Sequence, residues 1–439
     1  MTTQPTKRPE KVVSDSSPSP TTPQGEAKAK PEVKATTRVL VVRDPGELAQ
    51  YATIWDELAE AACEPNVFYE SWTLLPALKA LGDGHDFEFY LVFAAGAGPE
   101  SAKPVLNGFF PMERQKRYKG LPAAVLTLWK HIYSMLCTPL VREGQEGDAL
   151  NTLLDHFASA PDAPALLEWN YLSGEGVFSQ ALIEVINHRQ TLTHVDETWI
   201  RAFMRCAPGK SGEDYIHKAF SSKRRKEFKR QENRLAETGE LHFATLEPHV
   251  HTGEYDEYAA LDAFLADFLQ LEASGWKGQG GSAFSCNPTH QEFFCTVAKE
   301  AYERKRLAMM ALQVNGKSIA SKCDFFAGDG AFAFKIAYDE EYARFSPGVL
   351  VEMEGIRRIH DNPNINWMDS CAVPDHPMIN RVWTERRTLQ NLVIATGQGR
   401  GEFIVSALPL LRWLKSKIRR KPSSKNKSTP QTPEDKESS

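Results

Sequence analysis

The sequence predicts an α/β protein, with α+β character, made of two successive units that each contain a mixed, mostly antiparallel sheet flanked by helices. The chain has 439 residues, which exceeds one typical domain and is enough for two cores. Apolar residues recur at the period of two expected of strands and, between those runs, at helical spacing. We predict units at residues 38–205 and 206–412, preceded by a disordered tail at 1–37 and followed by a basic, disordered tail at 413–439.

Composition excludes several classes of protein. The hydrophobic content of 41% and the charged content of 25% are typical of a globular chain, and no apolar run is long enough to cross a bilayer. The net charge of −5 gives no reason to expect nucleic acid as a partner. Seven cysteines without a C-x-x-C pair favour a reducing compartment, so we expect a cytoplasmic protein. Cys286, His290 and Cys295 match no zinc spacing, and no metal is assigned.

The first unit opens with a strand at 38–43 and then alternates helices with strands. Pro45 begins a helix, and a second helix follows Asn66, because leucine and aromatic residues recur at helical spacing in both segments. Further elements are predicted as strands at 87–94, 105–114 and 165–171 and a helix at 150–157. This alternation is the reason for the α/β assignment.

The second unit repeats the alternation and adds a meander of hairpins. Its elements are predicted as helices at 215–237, 255–273 and 291–305 and strands at 241–246, 307–314, 318–326, 331–338 and 365–369. Asn315-Gly316 and Gly328-Asp329-Gly330 provide the hairpin turns. A helix from Ser346 then leads to the last strand, which makes an antiparallel meander followed by a βαβ step.

The opening of that helix, Ser346-Pro347-Gly348, has the layout of an anion site. Ser346 suits the N-cap, Pro347 suits the first helical position, and Gly348 has no side chain to shield the free amides of the first turn. Those amides and the positive end of the helix dipole favour a phosphate or diphosphate. An ordinary capped helix has the same residues, so the motif alone leaves both interpretations open.

The hairpin at 318–338 brings charged residues together if its pairing is regular. An even-numbered turn puts the apolar residues of both strands on one face and Lys322, Asp324 and Lys335 on the other. That second face is either solvated or covered by a helix, or it lines a cleft beside the predicted anion site. In a cleft, one carboxylate and two ammonium groups can manage protons and negative charge.

Three further segments have two interpretations each. The basic helix around Arg225 is a solvated face or a phosphate-binding surface. The glycine-rich segment 274–281, which includes Trp276 and Lys277, is a mobile lid over a substrate or a flexible connector. The segment 403–421, apolar and then basic, is a docked final strand and helix or a contact with an anionic membrane surface.

The order of strand, acidic loop, Ser346-Pro347-Gly348, helix and strand resembles the acyl-CoA-binding core of the GNAT superfamily. Within that superfamily the chain looks like the BioF2-like or CelD-like acetyltransferase domain proteins, which are related in fold to FemAB peptidyltransferases. The resemblance covers residues 38–412 and rests on 221–239, Gly275-Trp-Lys-Gly278, Tyr338-Asp339, Asp369, Asn66, Phe68, Trp72 and Thr138-Pro-Leu-Val141. At 344–348 only the last glycine matches the GNAT diphosphate signature, and the Gly-Asp-x-x-Tyr-Lys ending is absent after Asp369.

The resemblance implies tandem GNAT-like halves and an acyltransferase that moves an acetyl or other acyl group from acyl-CoA to an amine. It also implies a setting in envelope polysaccharide synthesis, including cellulose biosynthesis, or in metabolite synthesis. The partners would be a small-molecule acyl donor and an amine acceptor. The implied catalytic residues are Asp324 and Asp369 as candidate bases, Tyr338 as proton donor to the leaving thiolate and Lys335 on the acceptor side. The implied binding residues are Arg344, Phe345, Ser346, Gly348 and Val349 for the donor, and Trp276, Lys277 and Arg225 for the substrate.

Two other functions fit the same residues. The incomplete diphosphate signature favours a non-catalytic GNAT-like module in polysaccharide synthesis, whereas the retained Ser-Pro-Gly turn favours catalysis. A FemAB-like aminoacyltransferase would take its acyl group from charged tRNA and would not depend on coenzyme A.

Overall fold

All thirteen strands in the part of the chain that the structure describes belong to one sheet. The structure is a computed structural model, and it describes residues 38–207, 209–246, 256–397 and 399–419. The strands are β1 (Arg38–Val42), β2 (Phe87–Phe93), β3 (Leu106–Gln115), β4 (Val125–Leu128), β5 (Leu140–Val141), β6 (Leu166–Ser173), β7 (Thr193–Arg205), β8 (Leu241–Leu246), β9 (Leu307–Val314), β10 (Lys317–Ala327), β11 (Gly330–Tyr338), β12 (Trp367–Asp369) and β13 (Glu385–Ala395). The tail predicted at 1–37 lies outside these ranges, as do residues 420–439 of the basic tail predicted at 413–439; residues 413–419 of that tail are helical and not disordered as predicted.

The helices flank this sheet. They are α1 (Ala52–Glu60), α2 (Ser71–Leu81), α3 (Glu146–Ser159), α4 (Val177–Arg189), α5 (Gly212–Ala219), α6 (Ser222–Ala236), α7 (Asp256–Ser274), α8 (Trp276–Gln279), α9 (Pro288–Glu303), α10 (Pro347–Asp361), α11 (Ile379–Val382) and α12 (Gly399–Arg419). Among the described residues, none of these helices is both long enough and apolar enough to cross a membrane.

The sheet contains two similar runs of strands. The first run is β1-β2-β3-β4-β6, in which antiparallel pairs end in the parallel pair of β4 and β6. The second run is β8-β9-β10-β11-β12, which ends in the parallel pair of β11 and β12. The short strand β5 pairs with β3 beside this path. The predicted α/β class, with mixed, mostly antiparallel strands flanked by helices, is thereby confirmed, but the strands of both halves form one sheet and not two.

The two runs exchange their final strands at the centre of the sheet. β7 follows β6 in the chain but pairs with β12 of the second run, whereas β13 follows β12 and pairs with β6 of the first run. β7 and β13 also pair with each other, antiparallel, over residues 193–203 and 385–394. Neither strand is among the elements predicted from the sequence. Because each run is completed by a strand from the other, the halves share one continuous sheet.

The charged helix predicted at 215–237 is instead two helices, α5 and α6. The helix breaks at Phe220, which has an extended backbone (φ −122°, ψ 135°) and a buried side chain that packs on Phe228 with ring centres 5.4 Å apart. Ser221 then caps α6, because its side chain accepts a hydrogen bond from the amide of Arg224. The break is a packing effect: burial of the Phe220 ring outweighs the helix propensity of the charged residues around it.

The two other segments with open interpretations are also helical. The glycine-rich segment 274–281 contains the short helix α8, and the segment 403–421 belongs to the single helix α12 as far as residue 419. A final strand within 403–421 was therefore a wrong expectation.

The apolar core crosses from one half to the other. The ring of Phe68 packs on Phe332 and Phe334 of β11, with ring centres 5.6 and 6.4 Å apart. Trp72 of α2 meets Phe325 of β10 at 5.7 Å. All of these side chains belong to one cluster of buried residues. The first half therefore supports one face of the hairpin formed by β10 and β11.

Candidate functional site

A cleft opens in the second half where β11 and β12 separate. The two strands pair over three residues, and the last pair joins Phe332 with Asp369. β11 then continues to Tyr338, whereas β12 ends at Asp369 and the chain turns away. The resulting cavity has a volume of about 820 Å³ and is lined by side chains of β10, β11, α10 and the segments 271–277 and 370–379. This volume suits a small-molecule ligand.

The edge of β11 offers backbone hydrogen-bonding groups to the cleft. The amide of Asp339 donates to the carbonyl of Ile319 at 2.8 Å. Since the backbone groups alternate in direction along an antiparallel pair, those of Ile336 and Tyr338 point away from β10. In agreement, the carbonyl of Ile336 accepts a hydrogen bond from Lys277 Nζ at 3.0 Å. An extended ligand can therefore pair with this edge as a further strand would.

The amino end of α10 forms another wall of the cleft. Ser346 is the N-cap residue and Pro347 begins the helix, as predicted, but Ser346 has a left-handed backbone (φ 54°, ψ 50°) and its side chain makes no capping hydrogen bond. Its carbonyl instead accepts hydrogen bonds from the amides of Val349 and Leu350 at 2.9 and 3.2 Å. Among the described residues, the Gly348 amide has no partner. The expectation of a side-chain cap was wrong, and the turn offers fewer free amides than the motif suggests.

A buried triad of charged side chains lies where β10 meets α10. Lys322 Nζ is 3.1 Å from Asp324 Oδ2 and 3.0 Å from Glu352 Oε2. The other oxygen of Glu352 accepts a hydrogen bond from Trp383 Nε1 at 2.8 Å. All three charged side chains are buried, and Asp324 Oδ1 has no hydrogen-bond partner in the described part of the chain. Asp324 also lines the cleft, so this buried, unpaired acceptor lies close to the cleft wall.

Burial changes the acid strengths within the triad. It raises the pKa of Asp324 to about 7, against the attraction of Lys322, and the charge of Glu352 adds to the rise. Burial acts to lower the pKa of Lys322, but the two carboxylates outweigh it and hold the pKa above its ordinary value. Two carboxylates thus share one ammonium, and the proton on Asp324 is exchanged near neutral pH. A carboxyl group of this pKa is suited to general acid–base chemistry.

Lys335 lies on the opposite face of the sheet from this triad, so the predicted cluster of three charges was wrong. A β-bulge shifts the register: Asp324 pairs with Ala333, whereas Cys323 pairs with Lys335. The extra residue on β11 reverses the alternation of faces beyond it, and the parity argument assumed a regular ladder. Lys335 still lines the same cleft, because the cavity extends around the free edge of β11.

Lys335 shares its side of the cleft with Lys277 and Glu272. Its Nζ lies 5.2 and 5.0 Å from the ring centres of Tyr133 and Phe284. Glu272 is buried, approaches Lys277 Nζ at 3.3 Å, and accepts a hydrogen bond from the amide of Phe284 at 2.9 Å. Burial and, to a smaller extent, the charge of Lys277 lower the pKa of Lys335 to about 8, against the opposing effect of Glu272. Two ammonium groups beside one carboxylate leave this wall suited to an anionic group.

Asp369 is held by two arginines. Its Oδ2 lies 2.7 Å from Arg201 Nη2 and 3.0 Å from Arg387 Nη1, and its Oδ1 accepts a hydrogen bond from the Cys371 amide at 2.9 Å. Burial acts to raise the pKa of Asp369, but the arginines outweigh it and hold the pKa below its ordinary value. Arg201 belongs to β7 and Arg387 to β13, so these ion pairs tie the exchanged strands to β12. A carboxylate held in this way is a poor proton acceptor, which leaves Asp324 as the better base.

The remaining predicted site residues divide into those that reach the cleft and those that do not. The ones that line it are Lys277, Tyr338, Ser346, Gly348 and Val349. Phe345 is buried in the core, and Arg344 is exposed with its guanidinium 4.6 Å from the Phe345 ring centre. Arg225 donates to the His217 carbonyl at 3.2 Å and so joins α5 to α6. Trp276 begins α8, but its side chain lies outside what the structure describes.

Sequence reasoning missed four charged residues that shape the site, namely Glu272, Glu352, Arg201 and Arg387. A signal existed for Glu352, because it lies four residues after Gly348 and three before Gly355 and therefore shares a helical stripe with both. An acid on a stripe of small residues indicates a buried partner. The two arginines belong to strands that were not predicted, so their positions had no comparable signal.

Residues 222–375 match a family model described as an acetyltransferase (GNAT) domain. That segment includes the buried triad, β11 and α10, and therefore most of the cleft. A search of curated proteins finds no match to the chain.

Several solved structures match most of the length of the chain. The crystal structure of FemX is 9% identical, with a TM-score of 0.50, and the match covers 81% of this chain and 98% of that one. The C-terminal domain of a putative lysylphosphatidylglycerol synthetase from Agrobacterium fabrum is 10% identical, with a TM-score of 0.44 and coverage of 83% and 97%. A tandem GNAT protein from the clavulanic acid biosynthesis pathway is 11% identical, with a TM-score of 0.39 and coverage of 82% and 99%. At these identities, the match to FemX concerns the fold alone.

Proposed function

We propose that this chain, which carries a GNAT domain at residues 222–375, transfers an acyl group from acyl-CoA, such as acetyl-CoA, to an amine. The family match concerns acyltransferases, and the identities of donor and acceptor belong to the proposal. One observation carries it: the cleft combines an unpaired strand edge, a helix amino end and a carboxyl group with a pKa of about 7. Transfer from a thioester to an amine requires binding of the acyl donor, polarisation of its carbonyl group and a proton acceptor for the amine.

The donor is proposed to lie along β11. The pantetheine arm of coenzyme A contains amide groups, which can pair with the backbone groups of Ile336 and Tyr338 that point away from β10; a donor amide would share the Ile336 carbonyl with the Lys277 ammonium. The diphosphate would meet the amino end of α10, where the Gly348 amide and the positive end of the helix dipole favour an anion.

Asp324 is the proposed base. Its Oδ1 lacks a partner among the described residues, and its pKa of about 7 allows it to accept the proton of the attacking ammonium at neutral pH. The freed amine forms a bond to the carbonyl carbon of the thioester, the carbon–sulfur bond breaks, and the electron pair leaves with sulfur. Tyr338, which lines the cleft, is the proposed proton donor to that thiolate, and it recovers a proton from the new amide nitrogen, which still carries one proton too many after the attack. The transfer rate should then rise with pH through about 7 as Asp324 loses its proton.

Lys335 and Lys277 are proposed to serve the acceptor. Both line the cleft on the face opposite the triad, where their positive charges exceed the single negative charge of Glu272. An acceptor with an anionic group near its amine would be attracted to this wall. The role of the protein in the synthesis of envelope polysaccharide, cellulose or another metabolite stays a prediction from the sequence. Its cytoplasmic location also stays a prediction.

Isothermal titration calorimetry of the purified protein with acetyl-CoA and longer acyl-CoAs tests the donor. A Cβ at Gly348 would lie 3.4 Å from Met378 Sδ and 3.5 Å from Tyr338 Cδ1, so Gly348→Glu must direct a negative carboxylate into the cleft. We expect the wild type to bind an acyl-CoA and the variant to lose binding. Gly147→Glu is the matched control, because a Cβ at Gly147 has no neighbour within 4 Å and the residue lies in α3, in the other half.

The second candidate is aminoacyl transfer from charged tRNA. It is favoured by the amino end of α10, where the Val349 and Leu350 amides are already bonded to Ser346 and leave few donors for a diphosphate. If the protein protects charged tRNA from hydrolysis and no acyl-CoA gives heat of binding in the titration, aminoacyl transfer replaces transfer from acyl-CoA as the proposed reaction. No binding of either donor would contradict both and leave the non-catalytic module.

A further inference from the structure

Helix α12 has two apolar faces, and only one of them is covered by the rest of the described chain. Val405 and Leu408 are buried against the side of the sheet formed by β13. Phe403, Leu410 and Leu414 are instead exposed by 75%, 59% and 42%. At 100° per residue these three side chains fall within about 40° of one another, roughly opposite the buried pair. The helix thus presents a continuous apolar stripe away from the protein.

The position of this stripe is fixed by the docking of α12. Arg412, on the buried side, pairs with Asp196 of β7 at 3.1 Å. The burial of Val405 and Leu408 sets the face of the helix that meets the sheet, and this partly exposed ion pair adds a small stabilisation to that orientation. Burying Phe403 or Leu410 therefore needs another surface.

The chain around the stripe is strongly basic. No Asp or Glu occurs from Phe403 to Pro433. The basic residues that follow the stripe at once are Lys415, Lys417, Arg419, Arg420 and Lys421. Trp413, a residue type enriched at membrane interfaces, is 55% exposed. An apolar stripe with aromatic residues and a following cluster of positive charge matches an interfacial helix on anionic lipid.

We propose that the exposed stripe of α12 binds the surface of a membrane that contains anionic lipid. The apolar side chains enter the boundary between headgroups and acyl chains, while Lys417 contacts the headgroups and the basic sequence that follows adds to the attraction. A second copy of the chain fits less well, because its own α12 would bring more positive charge and no acid between 403 and 433. The proposal stands independently of the acyl transfer proposed for the cleft.

Co-sedimentation of the full chain with vesicles tests the proposal. We expect binding to vesicles of phosphatidylcholine mixed with phosphatidylglycerol, weaker binding to phosphatidylcholine alone, and weaker binding as salt is added. The double variant Leu410→Glu, Leu414→Glu should reduce binding at least about tenfold, because it removes apolar area and adds negative charge. Replacing Lys415 and Lys417 by Ala should reduce it about fivefold for each residue.

Ile183→Glu is the matched control, because Ile183 is 52% exposed on α4 and lies outside the stripe. It should bind vesicles as the wild type does. Since Leu410 and Leu414 are exposed, the double variant should keep the wild-type circular dichroism spectrum.

Three results would overturn the proposal. The first is equal binding to neutral and anionic vesicles, and the second is unchanged binding by the double variant. The third is that the wild type binds no vesicles. Light scattering would then identify what covers the stripe: a dimer that the double variant dissociates would indicate a second copy, and a monomer would indicate another segment of the same chain.

Discussion

Asp324 and Asp369 have the same side chain, yet their partners give them opposite acid strengths. Asp324 shares one ammonium with Glu352, and burial raises its pKa to about 7. Asp369 meets two guanidinium groups, which lower its pKa despite complete burial. The number of cations per carboxylate therefore decides which aspartate can exchange a proton near neutral pH. The sequence predicted both as candidate bases, because it does not reveal the arginines that reach Asp369.

The raised pKa of Asp324 predicts a pH dependence of stability. In the unfolded chain an aspartate has a pKa of about 3.9, so between that value and about 7 the folded state holds more protons. The free energy of unfolding that Asp324 contributes is complete below about pH 4 and is lost as the pH rises through about 7. Asp324→Asn cannot ionise, so its stability relative to the wild type should rise over this range, as measured by urea unfolding at a series of pH values.

Other buried carboxyl groups titrate in the same protein, so only the difference between variant and wild type isolates Asp324. Asp361→Asn, at the exposed carboxyl end of α10, is the control and should show no such trend. A difference for Asp324→Asn that stays constant from pH 4 to pH 8 would contradict the raised pKa.

Helix α10 approaches strand β10 closely at Gly355. A Cβ built on Gly355 would lie 2.9 Å from Lys322 Nζ and 3.5 Å from its Cδ. The end of a lysine side chain can usually move aside, but Lys322 is buried and held by both Asp324 and Glu352. The absence of a side chain at Gly355 therefore allows α10 to lie close enough to β10 for Glu352 to reach the Lys322 ammonium.

This contact predicts opposite effects for two Gly→Ala changes in helices. Gly355→Ala should lower the free energy of unfolding by about 1–3 kcal/mol, because overpacking displaces the Lys322 ammonium. Gly147→Ala in α3, where a Cβ meets no atom within 4 Å, should raise it by about 0.4–1 kcal/mol. Urea unfolding curves with equal slopes give both values. A stabilising Gly355→Ala would mean that α10 does not press on the triad.

The sequence predicted the elements of the meander better than the faces of their side chains. The strands, the two hairpin turns and the helix from Pro347 follow from local patterns, and the structure confirms them. The bulge between Cys323 and Asp324 has no turn residue to mark it, yet one inserted residue moves Lys335 to the other face. A prediction that assigns side chains to sheet faces by strict alternation therefore fails for the residues that follow a β-bulge.

The strands that join the halves were the least predictable part of the fold. β7 and β13 contain many polar and half-exposed positions, and neither shows the clean alternation of a strand with one buried face. Their pairing is set by long-range contacts: β7 meets β12, and β13 meets β6. Local sequence therefore predicted the second run of strands and the first run except β4, but could not predict how the runs are joined, nor the arginines that the joining strands supply.

The exchange of strands predicts that the two halves fold together. Without β7, residues 206–412 would leave the edge of β12 unpaired and would lose Arg201, so that Asp369 keeps only the ion pair with Arg387. Breaking one arm of a buried ion-pair cluster costs about 3–5 kcal/mol, which is a large part of the stability of a domain. We therefore expect this fragment, although it contains most of the cleft, to be insoluble or unfolded when expressed alone.

Co-expression of residues 38–205 as a second chain should restore a soluble, folded complex, because it supplies β7 and the first-half side of the shared core. The intact chain should unfold in urea in a single transition, with superimposable curves from far-ultraviolet circular dichroism and tryptophan fluorescence. A monomeric 206–412 fragment with its own cooperative transition, or two separate transitions in the intact chain, would show that the exchanged strands do not couple the halves. The cleft would then belong to an independent domain, and the ion pair between Arg201 and Asp369 would not be needed to fold it.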